Sequence, residues 1–234
     1  MCLLLFFTLL PIARAGNINH KVSGYDHSKK EKSSSLEYTS NLIYERCQLN
    51  KLGLSKQALM YAYKGLQYLV RKGLVDNPDI LTICDFSQSS FRKRLYIIDV
   101  ANFKVLMNTF VAHGRNSGLV YANRFSNNPS SLKSSLGFYV TKNTYFGEHG
   151  LSLRLAGLER GYNDKAESRA IVVHGADYIG ADRLDAAYMG RSFGCPAVPE
   201  NLSSRIINLI KDGTCLFIYH PTKSYLHGSR ILNG

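Results

Sequence analysis

Ala170-Ile171-Val172-Val173-His174-Gly175 and, further along, Gly190-Arg191-Ser192-Phe193-Gly194-Cys195-Pro196 are the stretches on which the reading of this chain turns. The apolar run from Ala170 to Val173 predicts a short buried strand that delivers His174 at its end. The Ser-x-Gly-Cys segment predicts a tight turn that surrounds a thiol with backbone N–H groups. A free thiol has a pKa of about 8.5 and needs a nearby base or cation to become a nucleophilic thiolate. A thiol and an imidazole delivered to one site, Cys195 and His174, therefore point to covalent acyl transfer, although a Cys and a His taken alone more often have structural roles. Successive N–H groups of Phe193, Gly194 and Cys195 can form an oxyanion hole for the tetrahedral intermediate.

Outward from these stretches the chain reads as β. Ile80–Asp85, Arg94–Asp99, Lys104–Val111, Gly137–Thr141 and Thr214–Tyr219 are β-branched and aromatic runs bounded by turn formers. A helix is expected from Ser203 to Lys211, with Ser203 as its cap and Gly213 just past its end. Residues 78–234 are thus expected to be a mainly β domain with few helices. Ahead of it, Ser55 caps a predicted helix whose apolar positions Leu59, Ala62, Tyr63, Leu66, Leu69 and Val70 recur at three and four residues. Gly73 ends that helix, and an earlier one is expected over Leu36–Leu49. Residues 16–77 read as a polar linker, to about Ser35, followed by a small helical appendage packed on the main domain.

The first fifteen residues are of another kind. Cys2 to Ile12 is apolar apart from Thr8 and Pro11, and Ala13-Arg14-Ala15 has the small-x-small form of a signal-peptidase site. The run is too short for a bilayer, which takes about 20 apolar residues. Residues 1–15 are therefore expected to be a cleaved signal peptide, with export to the periplasm or cell envelope and no transmembrane span in the mature chain.

Hydrophobic residues at 45% and charged residues at 20% are ordinary for a globular protein. A formal charge of +12 favours anionic partners, among them wall polymers and nucleic acid. The cations are spread out, however, and no recognition motif accompanies them, so no nucleic-acid role is expected. The cysteines show no C-x-x-C and no zinc spacing, so no metal is expected. In an exported protein Cys47 can pair with Cys84. Cys215, within an apolar strand, reads as an inert core thiol. Glu148-His149 lacks a helix-spaced ligand partner, and Gly114–Gly118 lacks the Lys-Ser/Thr ending of a phosphate loop. His113, in His-Gly-x-x-Ser-Gly, competes with His174 as base. It reads as a substrate-binding or supporting residue, or as one that merely stabilises a turn.

From about Phe110 onward the chain resembles the murein L,D-transpeptidase catalytic-domain family. The resemblance rests on Val111-Ala112-His113-Gly114, Ser117-Gly118, Phe125-Ser126-Asn127 and Ser134-Ser135-Leu136-Gly137-Phe138-Tyr139. It continues through Gly147, His149-Gly150, Ser152-Leu153-Arg154-Leu155 and Gly157-Leu158-Glu159. Arg169 to Ala176 and Gly190 to Val198 complete it. The resemblance implies a β-sandwich or barrel catalytic domain without metal or organic cofactor. In it Cys195 attacks a peptidoglycan stem-peptide carbonyl, His174 is the base and the Gly175 carbonyl orients its imidazole. The thioester then passes to an amine acceptor. Hydrolysis of the same thioester, as in an L,D-carboxypeptidase or endopeptidase, and a non-enzymatic wall-binding module are the alternatives. In the better-known branch a second His stands where this chain has Phe193, and an Arg where it has Ala197. Arg154 and Arg191, with Ser192 and His113, are the candidates for substrate binding.

Overall fold

Ile80-Leu81-Thr82-Ile83-Cys84 and Thr214–Tyr219 are apolar apart from Thr82 and Thr214 because they lie side by side in the middle of the sheet, covered on both faces. The computed structural model describes the backbone of residues 24–234 and the side chains of residues 35–234. The expected signal segment, 1–15, lies outside the described residues.

Among the described residues three helices come first: α1 (Gly24–Arg46), α2 (Leu49–Leu52) and α3 (Lys56–Arg71). Then follow β1 (Asn77–Asp85), β2 (Leu95–Asp99), β3 (Lys104–Thr109), β4 (Gly137–Gly147), β5 (Gly150–Gly157), β6 (Val172–Ala176) and β7 (Ala197–Pro199). After them come α4 (Glu200–Ile210), β8 (Thr214–Tyr219), α5 (Lys223–Gly228) and α6 (Arg230–Asn233). The eight strands form one sheet in the order β3-β2-β1-β8-β4-β5-β6-β7. Only β1–β8 and β6–β7 pair in parallel.

The two edges of this sheet, β3 and β7, meet. Past β3 the chain carries on extended, and the Ala112 N–H donates to the Ala197 carbonyl at 2.8 Å. Gly114 bridges Ser192, and the Ser192 N–H donates to the His113 carbonyl at 3.0 Å. The sheet is thereby almost closed into a barrel, which leaves few bare edges. Closure also fixes Gly190–Pro196 against residues 110–115, and this decides where the thiol stands.

Helix α3 covers β1 and β8. Ser55 caps it as expected, its hydroxyl accepting from the Ala58 N–H at 3.1 Å. Leu59, Ala62, Leu66 and Leu69 enter the same core as Phe138, Phe217 and Ile83, so the helical appendage and the sheet share one core. Gly65 is the point of closest approach, since a Cβ there would stand 2.0 Å from the Phe138 ring. That ring cannot retreat, being stacked on Phe217 at 4.1 Å. Gly65→Ala is expected to cost about 2 kcal/mol, because overpacking outweighs a helix-propensity gain of about 1 kcal/mol. A lower urea midpoint at unchanged slope would show it.

Several elements differ from the sequence reading. α1 runs from Gly24 and so enters the stretch expected to be a linker. α4 starts at Glu200, with Pro199 rather than Ser203 at its N-cap; Ser203 is inside the helix, donating to the Glu200 carbonyl at 2.8 Å. β4 continues to Gly147, and β5 and β7 were not anticipated. Leu151-Ser152-Leu153-Arg154-Leu155 does alternate, but leucine carries little β preference and the run lies between glycines. β7 is three residues long and is defined by pairing alone. Cys47 and Cys84 are free buried thiols, as is Cys215. No helix among the described residues is long and apolar enough to cross a membrane.

Candidate active site

β6 sets the imidazole. His174 is 3% exposed, and its Nδ1–H donates to the Gly175 carbonyl at 2.8 Å. This leaves Nε2 unprotonated and available. Burial, with the neighbouring His149 ring, pushes the pKa of His174 below the usual imidazole range, while the Gly175 bond opposes that shift. The ring is therefore neutral at neutral pH, the form that accepts a proton. His149, at the β4–β5 turn, stacks on it with centroids 4.4 Å apart. Sequence spacing gave no sign of this pair; the hairpin makes it.

The thiol stands on the neighbouring arm. His174 pairs across from Ala197, and two residues earlier the Val172 N–H donates to Cys195 Sγ at 3.4 Å. The thiol itself donates to the Ala170 carbonyl at 3.6 Å. No hydrogen bond joins Cys195 to His174, so the ladder makes them neighbours but does not couple them directly. Burial pushes the Cys195 thiol up, and the Val172 N–H and the Arg169 charge pull it down.

The turn before the thiol is built by Ser192, whose buried hydroxyl accepts from the Gly194 N–H at 3.0 Å and donates to the Cys195 carbonyl at 2.6 Å. Ser192 is thus a turn staple, its one O–H donor already used within the turn. It also takes Gly194 out of the expected oxyanion hole. The N–H groups of Phe193 and Cys195 remain without a protein partner among the described residues. Gly194 has φ of 129°, which favours glycine, and a Cβ there would stand 2.9 Å from the Lys133 carbonyl.

His113 is fully buried. Its Nδ1 accepts from Arg94 at 2.7 Å and its Nε2–H donates to the Gly118 carbonyl at 3.3 Å, so neither nitrogen faces open space. Arg94 stands in the basic run Arg92-Lys93-Arg94. It is 0% exposed, satisfied by the Val111 and Gln88 carbonyls and lying over Phe86. Burial and that cation push His113 down to about 3 from 6.5. The unfolded chain therefore binds a proton that the folded one refuses. Its contribution is complete above pH 6.5 and is lost as pH falls toward 3, on the order of 5 kcal/mol in all. Thermal melts should fall over that window, and His113→Gln should flatten the fall.

Arg191 donates to the Arg115 and Gly118 carbonyls at 2.9 and 3.2 Å and lies over Tyr188. Arg154 is exposed on β5 over Tyr145, opposite Val172. Phe193 is 68% exposed and lines an open cleft of about 330 Å³ with Pro129, Leu132, Arg169 and Ala170. The cleft borders the carbonyl that holds the thiol. No cluster of three or more His, Cys, Asp or Glu able to hold a metal occurs among the described residues.

A nearly closed β sheet carrying a thiol and a neutral imidazole on adjoining arms defines the class of protein. The chain belongs to the L,D-transpeptidase catalytic domain family, whose sequence model matches residues 50–219. That match takes in α3, in keeping with the shared core. No curated protein matches the chain. Among solved structures, an L,D-transpeptidase from Mycobacterium smegmatis is similar over 61% of this chain and 59% of its own, with 11% identity and TM-score 0.37. A mutant L,D-transpeptidase of Enterococcus faecium is similar over 62% of this chain and 52% of its own, with 13% identity and TM-score 0.38. For one from Xylanimonas cellulosilytica the figures are 71%, 81%, 15% and 0.34. The chain thus spans between half and three fifths of the first two.

Proposed function

We propose that this protein is an exported cysteine acyltransferase that forms a thioester between Cys195 and a peptidoglycan stem peptide and passes it to an amine. One observation carries the reading: a thiol beside two unpartnered N–H groups, Phe193 and Cys195, on the arm adjoining a neutral imidazole with a free Nε2.

The resting thiol donates to the Ala170 carbonyl and leaves it when substrate enters the cleft. Its proton passes to Nε2 of His174 as Sγ attacks the stem-peptide carbonyl. The N–H groups of Phe193 and Cys195 take the oxyanion, while the Gly175 carbonyl holds the imidazolium formed. Collapse expels the amine of the departing residue, which takes the proton from His174 and leaves a thioester. The acceptor amine loses a proton to Nε2, attacks the thioester and restores the thiol. Ser192, with Gly194, shapes the turn. Arg154 on its Tyr145 platform and Arg191 on Tyr188 are the cations offered to the anionic groups of the stem peptide. His113 supports the turn from behind.

Incubation of the full chain with purified sacculi and a defined amino donor, read by mass spectrometry, tests the reading. A muropeptide joined to the donor is expected, and Cys195→Ala should not form it. Release with water alone would make the enzyme a hydrolase. Unchanged sacculi would leave only a wall-binding module and sink the proposal.

A further inference from the structure

Arg169 precedes the carbonyl on which the thiol rests, and its guanidinium lies against the nucleophile turn. Its Nη2 is 3.3 Å from the position a Cβ would take on Gly194, the residue before Cys195. All four terminal N–H groups are engaged. Nη1 donates to the Ser126 carbonyl at 2.9 Å and to Ser135 Oγ, and Nη2 to the Lys133 carbonyl at 2.7 Å and to Ser131 Oγ at 3.3 Å. Every one of these acceptors is neutral, and no carboxylate pairs with Arg169 among the described residues. The hydrogen bonds therefore fix the group in place without cancelling its charge. A half-buried cation held in this way acts through its field, which is screened less than that of a surface charge.

We infer that Arg169 is the positioning residue that stabilises the Cys195 thiolate, a task the sequence left to His174. His174 is neutral in the resting protein and has no hydrogen bond to the thiol, so it supplies a base and not a charge. The thiol proton still goes to His174 Nε2, and Arg169 lowers the cost of the anion left on sulfur. Other ionisable groups face Cys195 too. Tyr178, whose phenol its own burial and Cys195 push up to about 12, stays neutral. His149 stacks on His174, and Arg191, on the thiol's own arm, is turned to the Arg115 and Gly118 carbonyls and the Tyr188 ring. This inference needs Cys195 to be the reactive thiol but not that the acyl donor be a wall peptide.

The test follows alkylation of Cys195 in the folded full chain by iodoacetamide from pH 5 to 10, with the modified peptide identified by mass spectrometry. Arg169→Gln should move the inflection to higher pH and slow alkylation at pH 7 about tenfold, with the high-pH plateau kept. Arg169→Lys should recover most of the rate. A plateau that falls at an unmoved inflection would mean a purely structural role and overturn the inference. His174→Gln gives an independent reading should Arg169→Gln fail to fold. It should leave the inflection in place, and an upward move as large as that expected of Arg169→Gln would make the imidazole the charge. Transfer to wall peptides is not measured, so failure here is distinct from failure of the proposed function.

Discussion

Cys195→Ala is expected to remove acyl transfer altogether, a loss on the order of 10⁴-fold or more, with the fold unchanged. The side chain fits a site with room to spare, and the turn around it is held by Ser192 and Gly194 rather than by sulfur. Only the weak bonds to Val172 and Ala170 disappear. Losses of this size are usual when a nucleophile is deleted and only binding and oxyanion donors remain. Intact-protein mass spectrometry checks it directly. Wild type treated with a carbapenem should gain one adduct mapping to Cys195, and the alanine variant none. An adduct that persists in the variant, or wild-type protein that resists labelling while folded, would remove Cys195 from the nucleophile's place.

His174→Gln comes next in size, an expected fall of about 10²- to 10⁴-fold in kcat/KM, as for loss of a general base. Glutamine keeps a donor for the Gly175 carbonyl but cannot accept the thiol proton as a base. The wild-type pH profile carries a second expectation. Activity needs the neutral imidazole, and burial together with His149 pushes the pKa of His174 down. The acid limb of kcat/KM should therefore lie below the ordinary imidazole range. His149→Phe keeps a ring on the stack but removes its charge, so the limb should move toward higher pH. A limb that stays put would mean that His149 packs on His174 without acting on its charge. A limb that persists in His174→Gln would assign it to another group.

How much of this was open to the sequence depends on the range of the forces involved. Thr214–Tyr219 was readable as a strand to the residue, because a strand covered on both faces is a nearly continuous apolar run. Ser55 was readable as a cap because capping is settled within one turn of chain. The nucleophile turn was also visible, since Ser192, Gly194 and Cys195 solve a local problem of backbone geometry. What Ser192 does inside that turn was not visible, because its hydroxyl could face substrate or the Gly194 N–H equally well by spacing. Arg94 shows the limit most plainly. In Arg92-Lys93-Arg94 it is indistinguishable from its solvated neighbours, yet it is the fully buried one. Its partners, Val111 and His113, come from a strand extension that only sheet closure brings near.

By itself the sequence determined that the protein is a mainly β chain of the L,D-transpeptidase family, with one thiol in a tight turn and one imidazole at a strand end, each beside a glycine. The family shows in ordered blocks of residues that resemble it, and the rest follows from periodicity and local backbone geometry, which neighbours in the chain enforce. The tertiary structure alone decided which cation stands by the thiol, which N–H groups stay open and which histidine is buried out of use. Each of these depends on burial and on hydrogen bonds between segments far apart in the chain, and those exist only once the edges of the sheet have met.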